Sequence, residues 1–192
     1  MIQTLVKTIT LAEFLTQPET KPAREYFDNQ IFTKPMPQGQ HSTIQGELVT
    51  YINFILKKQQ IAWAFPELRC TFGGRSIVPD VVVFTWDKLP VNEDGTIANK
   101  FDIAPDWMIE ILSPEQSMGI ITKKIIGCLN NGTMMGWLID PKLKLIFTYT
   151  NSSHPQVFEL DNEIISVPDF AKDLQITLGE IFGWLQVYPK KK

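Results

Sequence analysis

The chain has 192 residues, with 18 Lys plus Arg against 21 Asp plus Glu, a formal net charge of −3, 44% hydrophobic residues and 20% charged ones. That is the make-up of an ordinary soluble globular protein, long enough for one domain with a real core. It excludes a transmembrane helix, since no run reaches about 18 uninterrupted apolar residues, and a low-complexity chain.

A pI near 5.4 supplies no broad basic field. Arg24, Arg69 and Arg75 are the only arginines, too few for sequence-specific major-groove readout. Cys70 and Cys128 cannot by themselves build a disulfide framework or a four-ligand zinc site; they read as buried, reduced thiols of a cytoplasmic protein. Glu13 interrupts the weak apolar run at the N-terminus, which is not a signal peptide.

In chain order, Thr10 and Glu13 fit a capping box that opens a short helix through Leu15. Tyr26 to Ile31 reads as a strand pair turning at Asp28-Asn29, bracketed by prolines. Gly39 to Lys58 is the first long helix, with Ile44, Leu48, Tyr51, Ile52, Ile55 and Leu56 at spacings of three and four. Ile61 to Phe65, Leu68 to Phe72 and Val78 to Phe84 are short strands, punctuated by Gly73-Gly74 and Pro79. Asp87 to Asp102 is a polar loop. Trp107 to Leu112 is another strand, and Lys123 to Asn131 a short helix closed by Gly132. Met135 to Ile139 and Lys144 to Tyr149 pair through Asp140-Pro141. Val157 to Leu160 and Ile164 to Val167 read as a last hairpin, and Leu178 to Leu185 as a closing helix.

The expected fold is α/β, a mixed β-sheet flanked by helices, in a single domain over 1–192. Within it, 1–38 is a capping helix and hairpin, 39–150 the core, and 151–188 the C-terminal hairpin and helix. Val81-Val82-Val83-Phe84 and the stretch around Met108-Ile109 are nearly all apolar, so they belong mid-sheet. The five tryptophans read as core or interface groups.

Against that background two acids stand out. Asp80 directly precedes one buried run, and Glu110 lies inside Trp107-Met108-Ile109-Glu110-Ile111-Leu112. A carboxylate beside a buried strand is costly unless a metal or a proton offsets it. Two such acids near the ends of adjacent strands converge, and oxygen-only ligands suit Mg²⁺ or Mn²⁺.

Pro79-Asp80 followed by Glu110 resembles the PD-(D/E)XK, restriction-endonuclease-like superfamily. The longer pattern resembles one bacterial branch of it, the Uma-two family, long filed as a domain of unknown function. It comprises Phe65-Pro66-Glu67-Leu68-Arg69-Cys70, Pro79-Asp80-Val81-Val82-Val83-Phe84, Ile109-Glu110-Ile111-Leu112-Ser113-Pro114 and Gly136-Trp137-Leu138-Ile139-Asp140-Pro141. The resemblance runs from Leu11 to Leu185. It implies a restriction-endonuclease-like fold and a metal-dependent endonuclease hydrolysing DNA phosphodiester bonds, with Asp80, Glu110 and the carbonyl of Ile111 holding Mg²⁺ (or Mn²⁺). Weak, non-specific contact with DNA and a homodimer are the expected partnerships, with no membrane.

Superfamily members carry Lys two positions after the acid of Glu110, but here that residue is Leu112. In this branch the lysine lies on the following helix, where the matching residue is Lys124; Lys123, about 100° round that helix, is the rival. The branch often carries an acid where this chain has Ile120. Glu67 matches a third acid of the branch or is a surface strand residue. Gln45 is a polar first-helix contributor to the site; His41, sharing its face, is a helix-start residue or a second contributor. Two other readings stay open: a catalytically inactive binding or assembly module of the same fold, and a metal-dependent hydrolase of another substrate.

Overall fold

The computed structural model describes residues 9–114 and 116–188. Helix α1 (Leu11–Leu15) is closed by the expected capping box: Thr10 Oγ1 accepts from the Glu13 amide, and the Glu13 carboxylate accepts from the Thr10 amide. Strands β1 (Arg24–Phe27) and β2 (Gln30–Thr33) form the first hairpin. Asp28 and Asn29 both sit at positive φ, 52° and 59°, as a tight two-residue turn requires.

Helix α2 (Gly39–Ile52) runs into a π-helical turn, Asn53–Lys57, so the first long helix is continuous but changes pitch near its end. Strand β3 (Ala62–Pro66) follows, and then β4 (Cys70–Phe72) and β5 (Arg75–Ile77) pair across Gly73-Gly74. Both glycines have positive φ, which lets the chain reverse there. The expected strand at Val78 therefore starts later, as β6 (Val81–Thr85), with Val78–Asp80 as a connector.

After the polar loop come β7 (Trp107–Ile111), α3 (Met118–Leu129), β8 (Met135–Asp140) and β9 (Leu145–Tyr149). Helix α3 begins more than a turn earlier than the sequence indicated. The C-terminal hairpin does not form. Strand β10 (Gln156–Phe158) pairs with β9, while Ile164 meets only Thr177 in an isolated bridge. The Glu163 carboxylate accepts from the Glu159 and Leu160 amides, each at 2.7 Å, and folds that segment into a turn instead. Helix α4 (Leu178–Gly183) closes the fold behind a second capping box, Thr177 with Glu180.

Two sheets result: a small one of order β2-β1-β5-β4 and a main one of order β10-β9-β8-β7-β6-β3. Within the main sheet β7 and β8 are parallel and joined through α3; its other pairs are antiparallel. Alternation along the strands divides the core. Val81, Val83, Trp107, Ile109, Trp137 and Ile139 pack towards α2 and α4. Val82, Phe84, Met108 and Leu138 pack towards α3 and the small sheet. Strand β7 is buried along its whole length. Trp107 and Trp137 lie in the core, edge to face at 4.8 Å.

Cys70 and Cys128 are both buried free thiols; burial pushes the Cys70 thiol up to about 12, against a smaller opposing effect of Arg69. Among the described residues no helix is long and apolar enough to cross a membrane.

Candidate active site

Glu110 has the same parity on β7 as Met108, so its side chain lies on the α3 side of the sheet. Helix α3 faces it with Ile121, Ile125, Cys128 and Leu129, an apolar stripe at helical spacing, and Lys124 sits inside that stripe. Lys124 is 0% exposed. Its Nζ lies 2.7 Å from Glu110 Oε1, although that oxygen receives no well-directed hydrogen bond among the described residues. Close packing permits the reach: a Cβ on Gly136 of β8 would collide with the Ile125 side chain. Lys123 points elsewhere, largely exposed, and pairs with Asp28 at 2.8 Å.

The small sheet supplies a third acid. Glu25 of β1 accepts from Lys124 Nζ with both carboxylate oxygens, at 2.9 and 3.0 Å, and its Oε1 also accepts from the Val78 amide at 2.7 Å. Asp80 directly precedes β6, whose neighbour is β7. Its Oδ2 accepts from the Ile111 amide at 2.7 Å. Lys34, just past β2, donates to Asp80 Oδ1 at 2.6 Å and to the Val78 carbonyl at 2.8 Å. His41 Nε2 lies 3.1 Å from Asp80 Oδ2. Gln45 Nε2 donates to the backbone carbonyl of Asp80 at 2.8 Å, so it fixes the chain and does not touch the carboxylate.

Glu67 is not part of this cluster. It is exposed, at φ 45° in the turn after β3, and only its backbone amide touches Asp80, donating to the carbonyl at 3.1 Å. Glu67 lines a cavity that Lys34 also borders, whereas the third carboxylate in contact with the cluster is that of Glu25. His41 is more than a helix-start residue, because α2 aims it at Asp80.

The electrostatics follow from burial. Asp80 and Glu110 are each 1% exposed. For Asp80 burial is the largest influence and opposes ionisation, but Lys34 and His41 outweigh it and hold the carboxyl well below its usual range. For Glu110 burial dominates and lifts the carboxyl to about 8; Lys124 opposes the rise and Asp80 reinforces it. Lys124 is raised: burial works against its charge, and Glu110 and Glu25 overcome it. Lys34 is raised in the same manner, chiefly by Asp80 against burial.

Three carboxylates, Glu25, Asp80 and Glu110, face two ammonium groups, Lys34 and Lys124. Fully ionised, the set is short of one positive charge, and Glu110 answers by holding a proton up to about 8. A hard cation fits such a set: Asp80 and Glu110 are oxygen donors, and Glu110 Oε1 is buried without a directed partner. Among the described residues no three His, Cys, Asp or Glu side chains form a ready-made metal cage. A cation here therefore has to draw on backbone or solvent oxygens as well.

Residues of the cluster line several cavities, among them the one that Glu67 and Lys34 share and two more. One, of about 700 Å³, is walled by His41, Leu112 and Ser113 among others; the second, of about 380 Å³, by Glu25, Lys34 and Ile121. Gln116 borders both.

Sequence reasoning missed Glu25 and Lys34. Neither carries a local signal: one sits in a short strand, Arg-Glu-Tyr-Phe, and the other beside Pro35. Their contacts span 99 and 46 positions, and only the tertiary fold reveals them.

Comparison with known proteins gives two findings. Residues 11–179 match the Uma2 family, described as "Putative restriction endonuclease". The fold superposes, with a TM-score of 0.91, on the crystal structure of "a putative nuclease belonging to DUF820" from Anabaena variabilis ATCC 29413. That protein is 53% identical, and the match covers 93% of this chain and 99% of that one. The mixed sheet, with helices on both faces, is accordingly a restriction-endonuclease-like fold. No curated protein is significantly similar to the chain.

Proposed function

The chain belongs to the Uma2 family, and from that premise we propose that it is a metal-dependent endonuclease hydrolysing DNA phosphodiester bonds. The observation that carries the reading is a pair of fully buried carboxylates, Asp80 and Glu110, on adjacent central strands, with a fully buried lysine against one of them. Such an arrangement is expensive for a fold to maintain without chemistry to perform.

Asp80, Glu110 and the carbonyl of Ile111 would hold Mg²⁺ or Mn²⁺. When bound, the ion supplies Lewis-acid polarisation of a phosphoryl oxygen and a lowered pKa for a coordinated water. Lys34, His41 and the Ile111 amide fix the Asp80 carboxylate in one orientation, and Gln45 fixes its backbone. Lys124, kept cationic by Glu25 and Glu110, positions the attacking water and offsets charge developing on the phosphate. Glu25 acts through Lys124 as a positioning residue. The scarcity of arginine argues against base readout, and the acidic pI, which supplies no broad basic field, is the observation that favours the second reading, a metal-dependent hydrolase of another substrate.

The test is nicking of plasmid and single-stranded DNA with Mg²⁺, with Mn²⁺ and with a chelator, beside Asp80→Ala. Metal-dependent cleavage that the variant loses supports the reading. A folded wild type that cleaves nothing with either ion overturns it and leaves a non-catalytic module of the same fold, or a hydrolase of another substrate.

A further inference from the structure

Resting on that nuclease reading, we propose that Lys34 is a second catalytic lysine: its ammonium yields Asp80 Oδ1 to the divalent ion and donates, retaining its protons, to a non-bridging oxygen of the phosphate being cleaved. The two buried lysines are placed differently. Lys124 is 0% exposed, is held by both oxygens of Glu25 and lies against Glu110, inside the apolar stripe of α3. A nucleic-acid strand is too bulky to reach it, so Lys124 acts from the protein side of the site. Lys34 is 7% exposed and borders the cavity of about 380 Å³ that Thr20, Glu67 and Arg69 also line. Its backbone is fixed on both sides: the Lys34 amide donates to the Ala23 carbonyl at 2.9 Å, and Pro35 disfavours helical backbone at the residue before it.

Charge decides where that ammonium goes. Asp80 Oδ2 is committed to the Ile111 amide at 2.7 Å and to His41 at 3.1 Å, whereas Oδ1 is held by Lys34 alone among the described residues. Oδ1 is therefore the oxygen that a hard cation takes. Glu25, Asp80 and Glu110, fully ionised, face Lys34 and Lys124 one positive charge short. With a divalent ion bound, the same set is one positive charge in excess. The excess falls on Lys34, because Glu25 and Glu110 both stay with Lys124. Lys34 is also tethered there, since it donates to the Val78 carbonyl at 2.8 Å, and its remaining N–H groups become free. The acids on the cavity wall do not claim it. Glu19 is held by Arg69 at 2.7 and 2.8 Å, and Glu67 is exposed, where an ion pair contributes little. A phosphodiester, singly charged with two non-bridging oxygens, matches one surplus ammonium with free donors.

The experiment uses Lys34→Gln, which keeps donors but loses the charge, and Lys34→Arg, which keeps the charge, each checked for folding by circular dichroism. Lys21→Ala, an exposed lysine on the same cavity wall, controls for diffuse charge. Calorimetry without DNA should show Lys34→Gln binding Mn²⁺ about tenfold more tightly, because the competing ammonium is gone. Single-turnover cleavage by Lys34→Gln at saturating Mn²⁺ should nevertheless fall about a hundredfold, with partial recovery in Lys34→Arg. In Ca²⁺, Lys34→Gln should bind an oligonucleotide about threefold to tenfold more weakly than the wild type. The difference should vanish when the phosphate at the mapped cleavage position is a neutral methylphosphonate. Lys21→Ala should match the wild type throughout. Should Lys34→Gln not fold, the nitrogen NMR signal of the Lys34 ammonium in the wild type reads the same step. It should move on adding Mg²⁺ and again with the charged oligonucleotide only; no second movement overturns the assignment. Wild-type cleavage or unchanged Mn²⁺ affinity in folded Lys34→Gln overturns it and leaves the nuclease reading standing. So does equal weakening on the charged and neutral oligonucleotides, or by Lys21→Ala. A wild type that cleaves no DNA overturns the nuclease reading, and the assignment of Lys34 falls with it.

Discussion

Lys124 and Glu25, 99 positions apart in the chain, meet in a two-pronged contact of 2.9 and 3.0 Å. The contact ties the interior face of α3 to the edge sheet and aims the ammonium group at Glu110. It makes the hairpin β1–β2 part of the site and not merely a cover over it.

Replacing Lys124 by Met keeps the volume but leaves Glu25 and Glu110 facing each other without a cation. The loss is expected to be about 3 kcal/mol of stability, because an uncompensated buried charge costs more than the pair gained. Adding Glu25→Gln should recover part of it. Lys123→Met, on the exposed side of the helix, should stay within about 0.5 kcal/mol of wild type. Urea denaturation midpoints check all three.

Glu110 sets a pH dependence whose sign follows from burial. Its folded pKa of about 8 lies above the ordinary 4.5. Between those values the folded state holds a proton that the unfolded state has released. This contribution to stability therefore falls as pH rises from about 4.5 to about 8 and then levels off. Glu110→Gln should flatten that slope. A divalent ion must expel the same proton, so Mn²⁺ affinity should climb with pH up to about 8, with close to one proton released per ion at pH 7. Calorimetry in buffers of different ionisation enthalpy measures the release.

Lys34 occupies one oxygen of Asp80 at 2.6 Å and so competes with any cation there. Lys34→Met should destabilise the metal-free protein by about 3 kcal/mol, since Asp80 loses its main counter-charge. The variant should also gain more Tm than the wild type on adding Mn²⁺. An equal or smaller gain would mean that Asp80 is not the cation's seat.

The sequence carried the parts of this arrangement that reside in local pattern. Nearly continuous apolar runs placed β6 and β7 mid-sheet, and the strand order agrees. Lys124 was legible through the family resemblance, which sets the lysine on the following helix; its place inside an apolar stripe at helical spacing, seen once α3 is known to start at Met118, is why it is buried and Lys123 is not. Glu25, Lys34 and the role of His41 were not legible, because each depends on how the small sheet and α2 fold over the main one. The expected last hairpin failed for a related reason: β9 offered Gln156–Phe158 a free edge, and Glu163 turned the next segment away.

The opposite edge of the main sheet is protected by a side chain. Asn53, in the π-helical turn, donates to the Ala64 carbonyl at 3.0 Å and accepts from the Ala64 amide at 2.8 Å, imitating a neighbouring strand. Asn53→Ala should cost about 1–2 kcal/mol and increase self-association through the uncovered β3 edge. Thermal melting with sedimentation analysis over a concentration series checks both.

The central claim is tested most directly by single-turnover cleavage of an oligonucleotide in Mn²⁺, comparing wild type, Asp80→Asn, Lys124→Met and Lys123→Met, each confirmed folded by its circular dichroism. Asp80→Asn and Lys124→Met should lose at least about a hundredfold in rate, as removal of a charge-stabilising group in a buried site does, with Lys123→Met unchanged. Wild-type rates in folded Asp80→Asn or Lys124→Met would contradict the assignment of the buried cluster as the hydrolytic centre.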